Sequence, residues 1–308
     1  MSSYDFDVYF RQRFPERILS GTSITIQILT GGLANHTVRV KFDPPISTSF
    51  PLNIGGLNET HDLLKIYTLR TAVLKHAPPY IASDPSQPFP VTRQLVEKRA
   101  LQLLNDEDED FAESAKQVGL GGNFKRGIVK VPKLIWHDEE ENVLWIEDLG
   151  NMVTLSQVLL AETQDEEEEI RKAALINKIA TELGSFVVEM YRATSNPPEA
   201  FLSYMLSLSD RSEILDFFAI MVRDNLKGRG VDAVEASALA ERVREGLKDR
   251  DEEGVCLGMR DFWSESVLID LGETTHRSGE KIEPRCGLVD WEFFGGTSAG
   301  GELGTFRE

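Results

Sequence analysis

The pattern of apolar residues changes period about halfway along the chain, and that change limits the folds open to it. Early in the chain apolar and polar residues alternate: Ile24, Ile26 and Ile28 through Ser23 to Leu29, then Val38, Val40 and Phe42 through His36 to Phe42. A period of two places successive side chains on opposite faces of a strand. Gly31-Gly32 lies between the runs, so the segment reads as strand, glycine turn, strand. Later the period is helical. Leu175, Ile176, Ile179, Leu183, Phe186, Val187 and Met190 share one helical face. Ile214 to Leu226 and Ala233 to Leu247 continue the pattern around stop signals at Gly228 and Gly230.

The intervening segments sort by the same rules. Asp43 to Thr60, rich in Pro, Ser, Gly and Asn, reads as an inserted loop. Thr71 to Ala77 is a short apolar strand carrying Lys75, and Pro78 to Pro90 holds five prolines and reads as irregular. Thr92 to Leu104 has helical spacing. Val131 to Trp136 and Val143 to Ile146 read as paired strands around an acidic turn. Two short runs, Val267 to Ile269 and Cys286 to Val289, read as late strands. The acidic runs Asp106 to Asp110 and Asp165 to Glu169 read as solvated, the second as a helix start where acids favour the dipole. Gly119 to Asn123 reads as a loop. The order is β-rich, one helix, β, then helices with a late strand pair, which is an α+β chain.

With 308 residues, 41% of them hydrophobic, the chain can bury two lobes. Its 51 acids against 33 bases give a formal net charge of -18. Such a field repels nucleic-acid backbones and anionic membranes, so neither is an expected partner. A nucleotide site here must gather positive groups locally. No apolar run reaches the ~18 residues of a membrane span. Met1 to Arg11 is polar and lacks the apolar stretch of a secretory signal. Cys256 and Cys286 stand in no metal-ligand spacing, which suits a reduced, cytoplasmic setting with both thiols buried. Nothing in the sequence fixes an oligomeric state.

Four segments carry chemistry. Glycines at Gly31 and Gly32 let backbone amides approach phosphate oxygens, and Asn35 can add one hydrogen bond. Lys75 sits in a strand with apolar neighbours, suited to phosphates, and Glu97 on the following helix can orient it. Asp261 stands just before an apolar strand, with Ser266 five residues further on. Asp290 ends another apolar run, in Leu288-Val289-Asp290-Trp291-Glu292. Phosphoryl transfer uses such a pair: one aspartate takes the acceptor hydroxyl's proton, and the other holds magnesium with help from the residue at +5.

These segments, in this order, resemble the superfamily of aminoglycoside phosphotransferases, choline kinases and methylthioribose kinases, over about Ile24 to Phe306. Met259-Arg260-Asp261 through Ser266 resembles their H-G-D-x-x-x-x-N catalytic loop. Lys75-His76-Ala77-Pro78-Pro79-Tyr80 resembles the K-Q-x-x-P-Y run of methylthioribose kinases, which also carry serine at the Ser266 position and D-x-E where this chain has Asp290-Trp291-Glu292. The resemblance implies a two-lobed protein-kinase-like fold. Its N-lobe would be an antiparallel sheet plus one helix, and its C-lobe mainly helical with short strands. Residues 1–149 would form the ATP-binding lobe and 150–308 the catalytic lobe. ATP and Mg2+ would be the cofactors and a small-molecule hydroxyl compound the substrate: an amino alcohol, an aminoglycoside-like compound or a methylthioribose-like sugar. Asp261 would be the catalytic base, and Ser266, Asp290 and Glu292 the metal ligands. Gly31, Gly32, Asn35, Lys75, Glu97, Glu147 and Leu149 would bind the nucleotide, the last two in the hinge Trp145-Ile146-Glu147-Asp148-Leu149-Gly150 that receives adenine.

Three departures define the alternative. Met259 and Arg260 replace the loop's histidine and glycine, Ser266 replaces asparagine, and the sequence stops at Glu308 where relatives continue into substrate-binding helices. They are what a catalytically impaired pseudokinase or nucleotide-binding scaffold would show. A truncated C-lobe would leave apolar helix surface at Phe186, Phe217 and Phe218 partly uncovered.

Overall fold

The computed structural model describes residues 4–14, 21–30, 32–51, 64–105, 128–195, 211–252, 256–270 and 284–297. In chain order, the first elements are α1 (Phe6–Arg13), β1 (Ser23–Ile28), β2 (His36–Pro51), β3 (Leu64–His76), β4 (Tyr80–Ile81), β5 (Asp84–Pro88) and α2 (Arg93–Leu104). They are followed by β6 (Val129–Lys130), β7 (Leu134–Asp138), β8 (Val143–Ile146) and β9 (Val153–Thr154). Then come α3 (Leu155–Leu160), α4 (Glu166–Thr194), α5 (Arg211–Gly228) and α6 (Ala233–Glu252). The last strands are β10 (Cys256–Gly258), β11 (Val267–Asp270), β12 (Arg285–Leu288) and β13 (Gly295–Thr297). The alternating runs become a five-stranded antiparallel sheet in the order β1-β2-β3-β8-β7. A second sheet, in the order β6-β12-β11-β9, joins β6 and β9 from the middle of the chain to the late strands β11 and β12, and β10 pairs with β13. This is the two-lobed α+β, kinase-like fold expected from the change of period.

The five-stranded sheet has two unlike faces. Val38, Val40 and Phe42 of β2, Ala72 and Leu74 of β3, and Val143 and Trp145 of β8 bury one face against Phe6, Tyr9 and Phe10 of α1. The Trp145 indole donates to the Tyr9 hydroxyl at 2.9 Å, and that hydroxyl donates to Asp138 at 3.2 Å. Arg13 pairs with the same carboxylate at 2.7 Å. The Trp145 indole, the Tyr9 hydroxyl and the Asp138 carboxylate thus each have a partner, as burial requires. The opposite face, with Val73 and Ile146, packs on the core built from α2, α4, β11 and β12. In α4, Ile179, Leu183, Phe186, Val187 and Met190 supply its buried stripe. Four glutamates crowd the first turn of α4 behind the N-cap Asp165, where the helix dipole favours them.

Three sequence expectations are corrected here, and one element is added. The polar start contains α1, whose Phe6, Tyr9 and Phe10 are buried. The Asp43 to Thr60 loop is strand as far as Pro51: a register shift between Lys41 and Ile46 takes Pro44 and Pro45 out of the ladder, and pairing then resumes to Leu64. Bulges are where a sheet tolerates proline. The proline-rich segment folds into the β4-β5 hairpin, a two-stranded sheet in which proline interrupts no central ladder. Phe186 is fully covered in the core and not left on a bare surface. The Asp106 to Asp110 run and the Gly119 to Asn123 loop lie outside the described residues.

Two histidines in the N-lobe give the fold a pH signature. Burial pushes His76 down to about 4, helped by His36 and Arg93. Burial does the same to His137, with Lys98 adding to it and Glu139 opposing, also to about 4. A depressed histidine stays neutral in the fold while the unfolded chain takes up a proton below the ordinary value of 6.5. Stability is therefore fully present above pH 6.5 and falls as pH drops toward 4, each histidine steepening the loss by up to about 1.4 kcal/mol per pH unit. Urea unfolding from pH 7 to 4.5 should show a slope reduced by up to one proton in His137→Asn; an unchanged slope would contradict the assignment.

Candidate functional site

Lys75 is the centre of the site. It lies on β3 two residues beyond Val73, so both project to the face turned toward the second lobe. Its ammonium donates to both oxygens of Glu97 on α2 at 2.8 Å and to Asp290 Oδ1 at 2.8 Å. Lys75 and Glu97 are almost fully buried, whereas the Asp290 side chain is 30% exposed. Burial alone would lower the Lys75 pKa, but Asp290, Glu97 and Glu292 together hold it well above its ordinary value. Glu97 carries the cost. Burial, with Asp290 and Glu292, pushes it up to about 7 against the pull of Lys75.

The two aspartates come from loops with unusual backbones. Arg260, just before Asp261, has φ 64°, and Asp290 has φ 66°. Positive φ is uncommon outside glycine, and arginine gains nothing there locally. Tertiary contacts must hold the Arg260 turn, and Met259 beside it is buried in the core. Asp261 and Asp290 both line a cleft of about 930 Å3 that Lys75, Asn35 and Glu292 also face. Ser266 is placed differently. It is fully buried, its hydroxyl donates to the Trp263 carbonyl at 2.8 Å, and it accepts from the Trp263 amide at 3.2 Å. The serine locks the loop between Asp261 and β11. Its own carbonyl accepts from the Val289 amide at 3.0 Å, which ties the two aspartate loops together.

Arg93, which the sequence reading did not single out, organises the opposite wall. It stands at the first position of α2, fully buried, where the dipole disfavours a cation. Its guanidinium donates to the carbonyls of Ala34, Pro78, Phe89 and Pro90 and to Asn35 Oδ1 at 3.0 Å. It also lies 3.5 Å from Glu292 Oε2, and Asn35 Nδ2 donates to that same oxygen at 2.8 Å. The glycine turn is thereby fixed to α2 and linked to the D-x-E segment. The β4-β5 hairpin adds amides from Ala82 and Ser83 to the carbonyls of Ala34 and Leu33. Gly32 is described and lines the cleft; Gly31 lies outside the described residues.

Glu147 and Leu149 lie where the chain crosses between lobes after β8. The Glu147 amide donates to the Lys133 carbonyl at 2.8 Å, and its carboxylate accepts from the Lys133 amide at 3.2 Å. Leu149 is buried, and a Cβ on Gly287 would stand 2.6 Å from its Cδ1, so a side chain there would push the end of Leu149 aside. On the far side of the cleft, α5 contributes Phe217, Phe218 and Met221, and Trp263 and Phe293 join them. The sequence marked Phe217 and Phe218 of α5 as apolar helix surface; the structure places both on the cleft wall.

Among the described residues no cluster of three or more His, Cys, Asp or Glu side chains forms a ready-made metal cage. Magnesium commonly takes only one or two protein carboxylates and completes its shell with phosphates and water. Asp290 and Glu292, hard oxygen donors on the wall beside Lys75, fit that requirement. No helix among the described residues is long and apolar enough to cross a membrane.

Fold and site together define a two-lobed, kinase-like chain with a lysine–glutamate–aspartate centre. The chain matches no protein-family model. It is 26% identical over 285 residues to a 4-hydroxytryptamine kinase of Psilocybe cubensis, covering 91% of this chain and 66% of that protein. It is 23% identical over 269 residues to a 4-hydroxytryptamine kinase of Psilocybe cyanescens, covering 87% and 62%. The chain thus spans about two thirds of the length of these curated relatives.

Proposed function

We propose that this chain carries an ATP- and Mg2+-dependent phosphotransferase site that moves the γ-phosphate to a hydroxyl of a small aromatic metabolite. The observation that carries the reading is Lys75, held between Glu97 and Asp290 in a cleft that Asp261 also lines. Residues 1–149 would serve as the ATP-binding lobe and 150–308 as the catalytic lobe. Lys75 would bind phosphate oxygens, and the turn at Gly31, Gly32 and Asn35 would cover them. Glu147 and Leu149 would receive the base. Asp290 and Glu292 would hold Mg2+, which when bound would offset phosphate charge; Ser266 would join them only on leaving its turn with Trp263.

Asp261 would accept the acceptor hydroxyl's proton as its oxygen forms a bond to the γ-phosphorus. The bond from that phosphorus to the β–γ bridging oxygen breaks, and ADP leaves. Support for an aromatic acceptor, over an amino alcohol, an aminoglycoside-like compound or a methylthioribose-like sugar, is the wall of Phe89, Phe217, Phe218, Trp263 and Phe293. The names of the two relatives point the same way.

The test is a thermal-shift titration with Mg-ATP followed by ADP release over a panel of hydroxylated aromatic amines, aminoglycosides and methylthioribose. Ligand at 100 times its Kd stabilises the native state by about 2.7 kcal/mol. A clear shift with turnover on an aromatic acceptor is expected. No shift at millimolar nucleotide would refute the reading, and a shift without turnover on any acceptor would favour the scaffold alternative.

A further inference from the structure

Arg39 is a cation on the cleft side of the sheet that the scheme above leaves without a role. In β2 it pairs with Val73 of β3, which pairs in turn with Ile146 of β8. Directly opposed residues in an antiparallel sheet project to the same face. Arg39 therefore shares the face of Val73, Ile146 and Lys75, the one turned toward the second lobe. Its guanidinium reaches the segment crossing between lobes. Nε donates to Asp148 Oδ1 at 3.1 Å, one terminal nitrogen to Asn151 Oδ1 at 2.9 Å, and the other to the Gly150 carbonyl. The side chain is 18% exposed and its Asp148 partner 6%. Asp148 Oδ1 is itself fixed, accepting from the Gly150 amide at 3.0 Å.

A guanidinium donates only in its own plane, through five N–H groups. Here three of the five are engaged, one on each nitrogen, which fixes the plane of the group. A held, planar cation face is a stacking surface for an aromatic ring. The position selects the ring. Phosphates at Lys75 place the rest of a nucleotide along the same face, and Val73 is only about 7 Å along β3 from Lys75. The other lobe supplies apolar matter at this level: Leu268 of β11 is half-buried and meets Leu149 and Met152 around Gly287. In a chain with net charge -18, a cation here also counters the anionic donor.

We propose that Arg39 is the base-stacking residue of the donor nucleotide, with Asp148, Gly150 and Asn151 holding its plane. The proposal rests on the phosphotransferase reading. It is tested by isothermal titration of wild-type, Arg39→Ala, Arg39→Lys and Arg39→Met chains with Mg-ATP and with Mg-tripolyphosphate, which lacks the base. Arg39→Ala should weaken Mg-ATP by about 10-fold, the size of one lost base stack, while leaving Mg-tripolyphosphate unchanged. Arg39→Lys should not restore binding, because it keeps the charge and loses the plane. Should Arg39→Ala fail to fold, Arg39→Lys and Arg39→Met keep the stem opposite Val73 and answer the same question. An unchanged ratio between the two ligands, equal weakening of both, or tighter Mg-ATP binding in the variants would overturn the Arg39 role alone. A wild-type chain that binds neither ligand would instead overturn the phosphotransferase reading on which it rests.

Discussion

Asp261→Asn should lower phosphate transfer by about 100-fold or more, the usual contribution of a positioned general base. Asparagine keeps the size of the side chain and removes only its capacity to take a proton. Asp261 lines the cleft, half-buried, beside Trp263 and across from Lys75, so its amide would be hydrated and the loop preserved. That loop is held from beneath, by buried Met259 and by the Ser266 hydroxyl on the Trp263 backbone. Mg-ATP affinity and thermal midpoint should therefore stay close to wild type while kcat collapses. Substitutions at Met259 or Ser266 should act the other way, through stability first. An Asp261→Asn chain with wild-type kcat would remove the base from the scheme.

Lys75→Met should damage both stability and turnover, and the two losses should separate. Removing the ammonium leaves Glu97 buried without its counter-ion, and breaking such a pair typically costs about 3–5 kcal/mol. Glu97 softens that cost, because burial has already raised its pKa to about 7. A carboxyl raised above its ordinary 4.5 keeps a proton in the fold that the unfolded chain releases. Its contribution to stability therefore falls as pH rises from about 4.5 to 7. Losing Lys75 removes the main group that lowers this pKa, so the Lys75→Met chain should weaken further on the alkaline side. The double variant Lys75→Met/Glu97→Gln replaces the stranded carboxyl with a neutral amide. It should recover most of the stability, read by urea unfolding at pH 8, and none of the phosphate transfer. Recovery of transfer would show that Lys75 only holds the fold.

The pairing of Lys75 with Glu97 and the meeting of Asp261 with Asp290 in one cleft were legible because each segment announces itself locally. A charged residue in an apolar strand and a carboxylate beside an apolar run are anomalies that need a tertiary reason. Arg93 and Arg39 escaped for opposite reasons. Arg93 looks like an ordinary helix residue, although a cation in a first turn works against the dipole and was a usable signal. Arg39 belongs to the polar half of an alternating strand, and alternation separates two faces without saying which of them meets solvent. Here the face of β2 that carries Arg39 turns toward the second lobe, and Thr37 on it lines the cleft. The β2 extension to Pro51 was hidden by Pro44 and Pro45, since prolines inside a strand signal a break unless a bulge removes them from the ladder. Helix α1 was hidden among charges, yet Phe6, Tyr9, Phe10 and Phe14 recur at helical spacing.

The central claim is phosphate transfer from ATP to an acceptor hydroxyl, and following the phosphate itself tests it most directly. Wild-type and Asp261→Asn chains would be incubated with γ-labelled Mg-ATP and, in turn, each acceptor of the panel, and the label counted in acceptor and in free phosphate. The account predicts labelled phosphate ester on the acceptor in equal amount to ADP, reduced about 100-fold or more in the variant. A folded wild-type chain that binds Mg-ATP, yet leaves every acceptor of the panel unlabelled, would contradict it.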